Sequence, residues 1–405
     1  MRTQNTFLAL LIIIIYAIPS VIFVCFHQDS LATGMIATCF IVLMYAITAL
    51  PKVVYKTIYF ISFLFFILCI TLQSAYFYME YNLSKPILSI PALLILFITS
   101  VALSKKIENI SFSTIIDALR LSAYFFFICG WLAILFKFKP GPYFAYEKPV
   151  IPFSEESHYA LCVGFISCIS GFFSNNKQKI FIFTNLVGQS VTFPSLTLFI
   201  FTVLSIIIFW FAKNIVKLFL FGFVFLALLT LSASYFSDTL AFQYFSSRLD
   251  FSSDGSNMTT LVFLQGIDDA YRSFINTNGL GLGFQMAGTD QPGQYGYTIA
   301  HMSGSFLNRA DGGFVASKLI TEFGIFGVGI LLWYLSRFFQ STLYLSSYGF
   351  EKKNDGSFTL LGSVALIVFS VEFLLRGYGY FSPGILLFFT LYRLSGKNKV
   401  YLRGR

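Results

Sequence analysis

The side chains able to do chemistry in this chain lie in a few short blocks set against long apolar runs. One block, "PFSEESHYALCVGFISC" at residues 152 to 168, places Glu155, Glu156 and His158 at the threshold of such a run. Ser154 is suited to cap a helix beginning at Glu155, and acids in a first helical turn suit the positive end of the helix dipole by ~0.3 to 1 kcal/mol. That accounts for both acids but not for the imidazole. Glu155 and His158 are three apart and share a helix face, so the carboxylate can orient the ring and raise its basicity, as a general base needs. A second block, "VEFLLRGYGYFSPG" at residues 371 to 384, sets Glu372 and Arg376 four apart in the favourable order for an ion pair. Gly377, Gly379 and Pro383 then break the helix. The pair reads either as a structural bridge or as charge facing a wet cavity. Further cations are Arg248, Arg272, Arg309 and Lys318, with Arg309 close to Asp311 in "FLNRADGGFVASKLITEFG". An arginine fork matches pyrophosphate oxygens and stays charged, so several arginines on one face point to a phosphorylated substrate; Arg272 reads more simply as a solvated loop charge. The histidines His27, His158 and His301 are far apart in sequence, so proton chemistry is expected rather than a metal site, with His301 the rival to Glu155 and His158.

What must position these groups is a membrane scaffold. The 405 residues are 57% hydrophobic and only 11% charged, with 52 Phe and a mean hydropathy of +0.76, where soluble domains are roughly a quarter charged. Apolar runs of about 17 to 25 residues recur, each able to cross ~30 Å of hydrocarbon as a helix, and the dyad alternation of a membrane barrel is absent. The expected fold is an all-α polytopic membrane protein of about twelve transmembrane helices with one large loop on the outer face. The spans read as 7 to 26, 31 to 50, 57 to 79, 86 to 103, 114 to 136, 158 to 174, 178 to 192, 195 to 212, 215 to 234, 314 to 340, 357 to 376 and 380 to 394. The first run is too long for a signal core and lacks an A-x-A-type cleavage site, so it is expected to be an anchor.

With the N-terminus inside, most of the 27 basic residues and few acids fall on cytoplasmic connections. The formal charge of +9 is then the positive-inside bias and not a nucleic-acid footprint. Both termini are expected in the cytoplasm. Residues 137 to 157 and the longer segment 235 to 313, between spans nine and ten, are expected on the outer face, as is the site. The six cysteines include no C-x-x-C pair, so neither a disulfide nor a thiolate metal site is expected. Cytoplasmic connections of at most about twenty residues leave no room for a nucleotide-binding domain of ordinary size. Within the long outer segment, "NMTTLVFLQGIDDAYRSFINT" predicts a helix after Asn257, and "NGLGLGFQMAGTDQPGQYG" predicts a loop. No strand precedes "GLGLG" and no phosphate-binding helix follows it in register, so it is not read as a dinucleotide fingerprint.

Together these blocks resemble the O-antigen polymerase (Wzy-type) family of Gram-negative inner membranes. The resemblance rests on "FSEESHYAL", on "SNMTTLVFLQGIDDA" followed by "NTNGLGLGFQMAG", on "LNRADGGFVASKLITEFGIFG" and on "LLRGYGYFSPG", in order over roughly residues 150 to 385. It implies a lipid-linked glycosyltransferase of GT-C type, passing a glycan chain from undecaprenyl pyrophosphate to a sugar hydroxyl of another undecaprenyl-pyrophosphate-linked repeat unit. No metal or other cofactor is implied, because pyrophosphate is already a good leaving group. A partner protein that regulates chain length is implied by the family and by no residue here. The family often reads Glu-Pro-Ser-His where this chain has Glu155, Glu156, Ser157 and His158, so its glutamate maps to Glu155. On this reading Arg376, then Arg248 and Arg309, hold the donor pyrophosphate, and Glu155 or His158 takes the proton, with Glu372 and Asp311 in support. Rival readings are an O-antigen ligase using the same donor but lipid A core as acceptor, a polysaccharide-unit flippase or other transporter, and a structural scaffold.

Overall fold

The computed structural model describes residues 2–28, 30–52, 57–193, 195–211, 257–347 and 357–395. The expected span 215 to 234, the start of the large loop and Arg248 lie outside the described residues. Among the described residues every regular element is helical: α1 Arg2–Cys25, α2 Leu31–Ala46, α3 Thr57–Tyr81, α4 Lys85–Ile107, α5 Phe112–Phe136, α6 Glu156–Phe172, α7 Asn176–Thr192, α8 Leu196–Ile206, α9 Met258–Asn276, α10 Gln294–Ser303, α11 Val315–Phe323, α12 Ile325–Ser347, α13 Ser357–Leu374 and α14 Pro383–Leu394.

Six of these segments are long and apolar enough to cross a membrane: Thr3–Cys25, Leu31–Leu50, Phe63–Glu80, Lys85–Ile107, Phe112–Phe136 and Ser357–Leu374. α6 and α7 have 17 residues each, and α14 has 12. The bundle's outward surface is greasy, with Phe65, Leu72, Leu135 and Phe339 all more than 60% exposed. Such a surface is at rest in hydrocarbon rather than water.

α6 and α13 sit at the centre. α6 packs against α5, α8 and α13, while α13 also touches α14, α12 and α11. Both are buried along most of their length because neighbours surround them, whereas α3 packs on α4 and the 283–284 loop and leaves Phe65, Leu68 and Leu72 outward. Phe369 of α13 stacks on Phe388 of α14 with ring centroids 4.2 Å apart. Several polar groups inside the bundle find partners on neighbouring helices, as a low-dielectric interior favours. Gln189 of α7 donates to the Phe127 carbonyl at 2.8 Å and accepts from Tyr159 Oη, tying α5, α6 and α7 together.

The run 314 to 340, expected as one span, is instead two helices broken at Gly324. Gly324 has φ +52°, and a Cβ there would lie 2.0 Å from the Gly279 carbonyl oxygen. That carbonyl accepts from Ile325 N at 2.8 Å, so the 278–283 loop is sewn into the break. The glycine-rich loop forms over 278–293, the last three residues expected in it opening α10 instead, and Leu282 N donates to Thr321 O and Gly283 N to Glu322 O, both at 2.8 Å. The helix expected after Asn257 is α9, capped by the Asn257 side chain at 3.0 Å from Thr259 N.

Candidate functional site

The chain between α13 and α14, residues 375–382, is irregular, turning at Gly379 with φ +77°. Gly377 N donates to Gly313 O at 3.0 Å, anchoring the segment on the turn before α11. From there Arg376 and Tyr378 reach the start of α6, while Tyr380 reaches Lys318 on α11.

At the start of α6, Glu155 is the N-cap and the helix begins at Glu156, one residue later than expected. Neither Ser154 nor the Glu155 side chain caps it. Glu155 Oε1 instead receives His158 Nε2 at 2.8 Å, Ser157 Oγ at 2.6 Å and Arg376 Nη2 at 3.5 Å. The Ser154 hydroxyl lies 3.3 Å from His158 Nδ1. Tyr378 Oη donates to the His158 carbonyl at 3.0 Å, and its ring lies 4.2 Å from the imidazole. Burial alone opposes ionisation of Glu155; His158, Arg376 and the Ser157 hydroxyl outweigh it and hold the carboxyl well below the usual carboxylate range. Glu155 is therefore a standing anion that orients His158, and a weak base itself. Its side chain is 45% exposed, against 16% for His158 and 22% for Arg376, so the cluster is open to a ligand.

The expected Glu372–Arg376 bridge does not form. α13 ends at Leu374, so Arg376 leaves the helical face that spacing assigned it. Glu372, 3% exposed, accepts from Ser382 Oγ and lies against the first turn of α14. A Cβ on Gly384 would sit 1.9 Å from Glu372 Oε2, so only glycine admits the carboxyl there.

Arg309 was expected to hold pyrophosphate, and its surroundings assign it otherwise. It is 6% exposed, and all five of its N–H donors are engaged. Nε and Nη2 meet the Asp269 carboxylate at 3.4 and 3.5 Å, Nη2 also meets Asp290 Oδ1 at 2.9 Å, and Nη1 reaches the carbonyls of Gly288 and Asp290 at 3.2 and 3.0 Å. It clamps the 288–290 loop to α9. Burial raises the Asp269 and Asp290 carboxyls above their ordinary values, with Arg309 opposing the shift in each. Arg272, expected as a loop charge, is instead half-exposed on α9 and pairs with Asp268 one turn earlier at 3.2 Å.

His301 is exposed in the last turn of α10, and no described contact joins it to Glu155, His158 or Arg376. Asp311 is exposed beside Gly379, next to the Lys318 side chain. Lys318 and Glu322, both essentially buried, were not singled out as a pair. Lys318 Nζ donates to Ala310 O at 2.6 Å, lies 3.8 Å from Glu322 Oε1 and 5.1 Å from the Tyr380 ring centre. Two charges four apart inside an apolar run were the available signal. Tyr378 and Tyr380 reach different neighbours although side chains two apart on an extended segment share a side, because Gly379 between them turns the chain at φ +77°. Among the described residues no three His, Cys, Asp or Glu side chains gather as metal ligands. Compared with known proteins, the sequence matches no family model, and no curated protein matches it at a significant level.

Proposed function

We propose that the chain is a membrane glycosyltransferase that lengthens a polysaccharide, taking the glycan from undecaprenyl pyrophosphate and passing it to a sugar hydroxyl of a second carrier-linked repeat unit, in the manner of an O-antigen polymerase. The observation that carries this reading is the meeting of Glu155, His158, Arg376 and Tyr378, from segments some two hundred residues apart, at one accessible end of an apolar bundle. An acid-fixed imidazole next to a partly exposed arginine, held by one 3.5 Å ion pair, is what transfer from a pyrophosphate needs: a proton acceptor and an anion holder. Glu156 occupies the first helical position, where the family's proline fits, so the register of the resemblance agrees with the helix start.

In the reaction the acceptor oxygen bonds to the anomeric carbon as the bond from that carbon to pyrophosphate breaks. Arg376 meets the charge that grows on the leaving oxygen. With its proton on Nε2 toward Glu155, His158 has its lone pair on Nδ1. The Ser154 hydroxyl, 3.3 Å away, holds the ring in place, and the acceptor's proton passes to His158 as the new bond forms. Arg309 braces the covering loop, and Glu372 holds α14 against α13. About twelve spans of GT-C-like arrangement in a Gram-negative inner membrane, with the site on the periplasmic face and both termini inside, complete the proposal.

The test is the lipopolysaccharide ladder of a strain lacking the chain, with a complemented control. Core bearing a single repeat unit, with the ladder restored on complementation, is expected. Bare core would overturn the polymerase reading. Polymer retained on the carrier would then point to a ligase, and single units held on the inner face to a flippase.

A further inference from the structure

At the other end of the bundle, separated from His158 by the 25-residue length of α5, the last turn of α4 meets the first turn of α1 and the end of α2 around a cavity of about 260 Å³. Its polar lining is Lys105, Lys106, Asn109, Gln4, Thr48 and Tyr45. Lys106 is fixed there: its Nζ lies 3.0 Å from Thr48 Oγ1 and 5.3 Å from the centre of the Tyr45 ring. Lys105 pairs with Glu108 at 2.9 Å on a half-exposed surface, which leaves its ammonium within reach of a second anion. Lysines in a last helical turn are favoured by the exposed carbonyls in any case. That preference explains their type; it does not explain why the Gln4 amide of α1, the Tyr45 phenol of α2 and the Thr48 hydroxyl just after α2 close round them, with Asn109 from the turn after α4.

No carboxylate lines this cavity. Its donors therefore suit an anion, and its volume would hold roughly eight waters or one small polar group. Its depth identifies which anion. Three of the membrane-length segments, Thr3–Cys25, Leu31–Leu50 and Lys85–Ile107, end at the cavity, so it opens where hydrocarbon gives way to headgroups. We propose that this cavity binds the phosphodiester headgroup of an anionic phospholipid, with Lys106 as the principal contact and Lys105, Asn109 and Gln4 completing the ring. The site is independent of the transfer chemistry and joins α1, α2 and α4 at their shared end.

The experiment titrates the purified full-length chain with short-chain phosphatidylglycerol, phosphatidylcholine and inorganic phosphate, reading bound ligand by native mass spectrometry. Phosphatidylglycerol is expected to bind more tightly than phosphatidylcholine by about fivefold to tenfold. Lys106→Gln is expected to erase that preference and Lys106→Arg to keep it, while Lys177→Gln, which removes the same charge from the start of α7, leaves it unchanged. Equal binding of the two lipids by the native chain would overturn the proposal without reference to any variant. So would displacement of phosphatidylglycerol by inorganic phosphate at equal concentration, or an equal loss from Lys177→Gln.

Discussion

Arg309 and Arg376 lie on either side of the same turn, yet the surroundings of each give it the opposite task. Arg309 is buried and gives every donor to the protein, to two carboxylates and two backbone carbonyls. Arg376 is 22% exposed, and its one described ion pair is a 3.5 Å contact with a carboxylate already serving His158 and Ser157. A saturated guanidinium stabilises; an unsaturated one can bind. Charge and residue type are the same in both, so only the count of committed donors separates brace from ligand arm.

The largest effect that would sharpen this contrast comes from Arg309→Ala. It leaves Asp269 and Asp290 without their counter-charge, and loss of one partner from a buried ionic cluster costs about 3 to 5 kcal/mol. The protein should lose thermal stability in detergent, with early proteolysis around residues 278 to 311; an unchanged melting temperature would break the contrast. Arg376→Ala should do the reverse. Removing one preorganised donor costs ~10² to 10³ in rate, while a partly exposed pair contributes at most about 1 kcal/mol to folding. Polymer formation in membranes should collapse in a protein of native stability. Glu155→Gln should reduce the rate by roughly 10², toward the lower end for a proton-transfer group, because His158 remains but loses its orienting anion. His158→Ala should cost at least as much, and the reverse order would move the base to Glu155.

Acid should also separate the two clusters. A depressed carboxyl such as Glu155 adds stability above its unfolded pKa and loses it only as pH falls through the lower folded value. The Glu155→Gln stability difference should therefore hold steady from pH 7 to about 5. Asp269 and Asp290 are raised, so their charged forms are the costlier in the fold, and stability falls as pH rises between the unfolded value of about 4 and the raised one. The native chain should gain on Asp290→Asn as the medium is acidified through that window, as melting temperatures would report. The smallest effect belongs to His301→Ala, expected within about 0.5 kcal/mol in stability and neutral in activity, since His301 is exposed and outside the cluster.

Part of this was legible in the sequence. Length and hydropathy give the all-helical class and the bounds of α4, α5 and α7 to within a few residues, and Asn257 marks the start of α9. The Glu155–His158 contact follows from a spacing of three on a helix. What spacing could not supply was where helices stop. Glu372 and Arg376 pair only if α13 runs to residue 376; it stops two residues short, and each side chain then finds a partner distant in sequence or on the next helix. The break at Gly324 was hidden for the same reason, because it depends on a loop forty-five residues earlier supplying the Gly279 carbonyl. Arg309 read as a ligand arm because a sequence shows its charge and not its five hydrogen bonds.

The most direct test of the account is polymer lengthening in proteoliposomes holding the full-length chain and undecaprenyl-pyrophosphate-linked repeat units, run side by side with Arg376→Ala. The native chain should extend the glycan on its carrier, and the variant should bind into the bilayer equally well yet extend it ~10² to 10³ times more slowly. A native chain that makes no polymer, or a variant that matches it, would contradict the assignment of this cluster to glycosyl transfer.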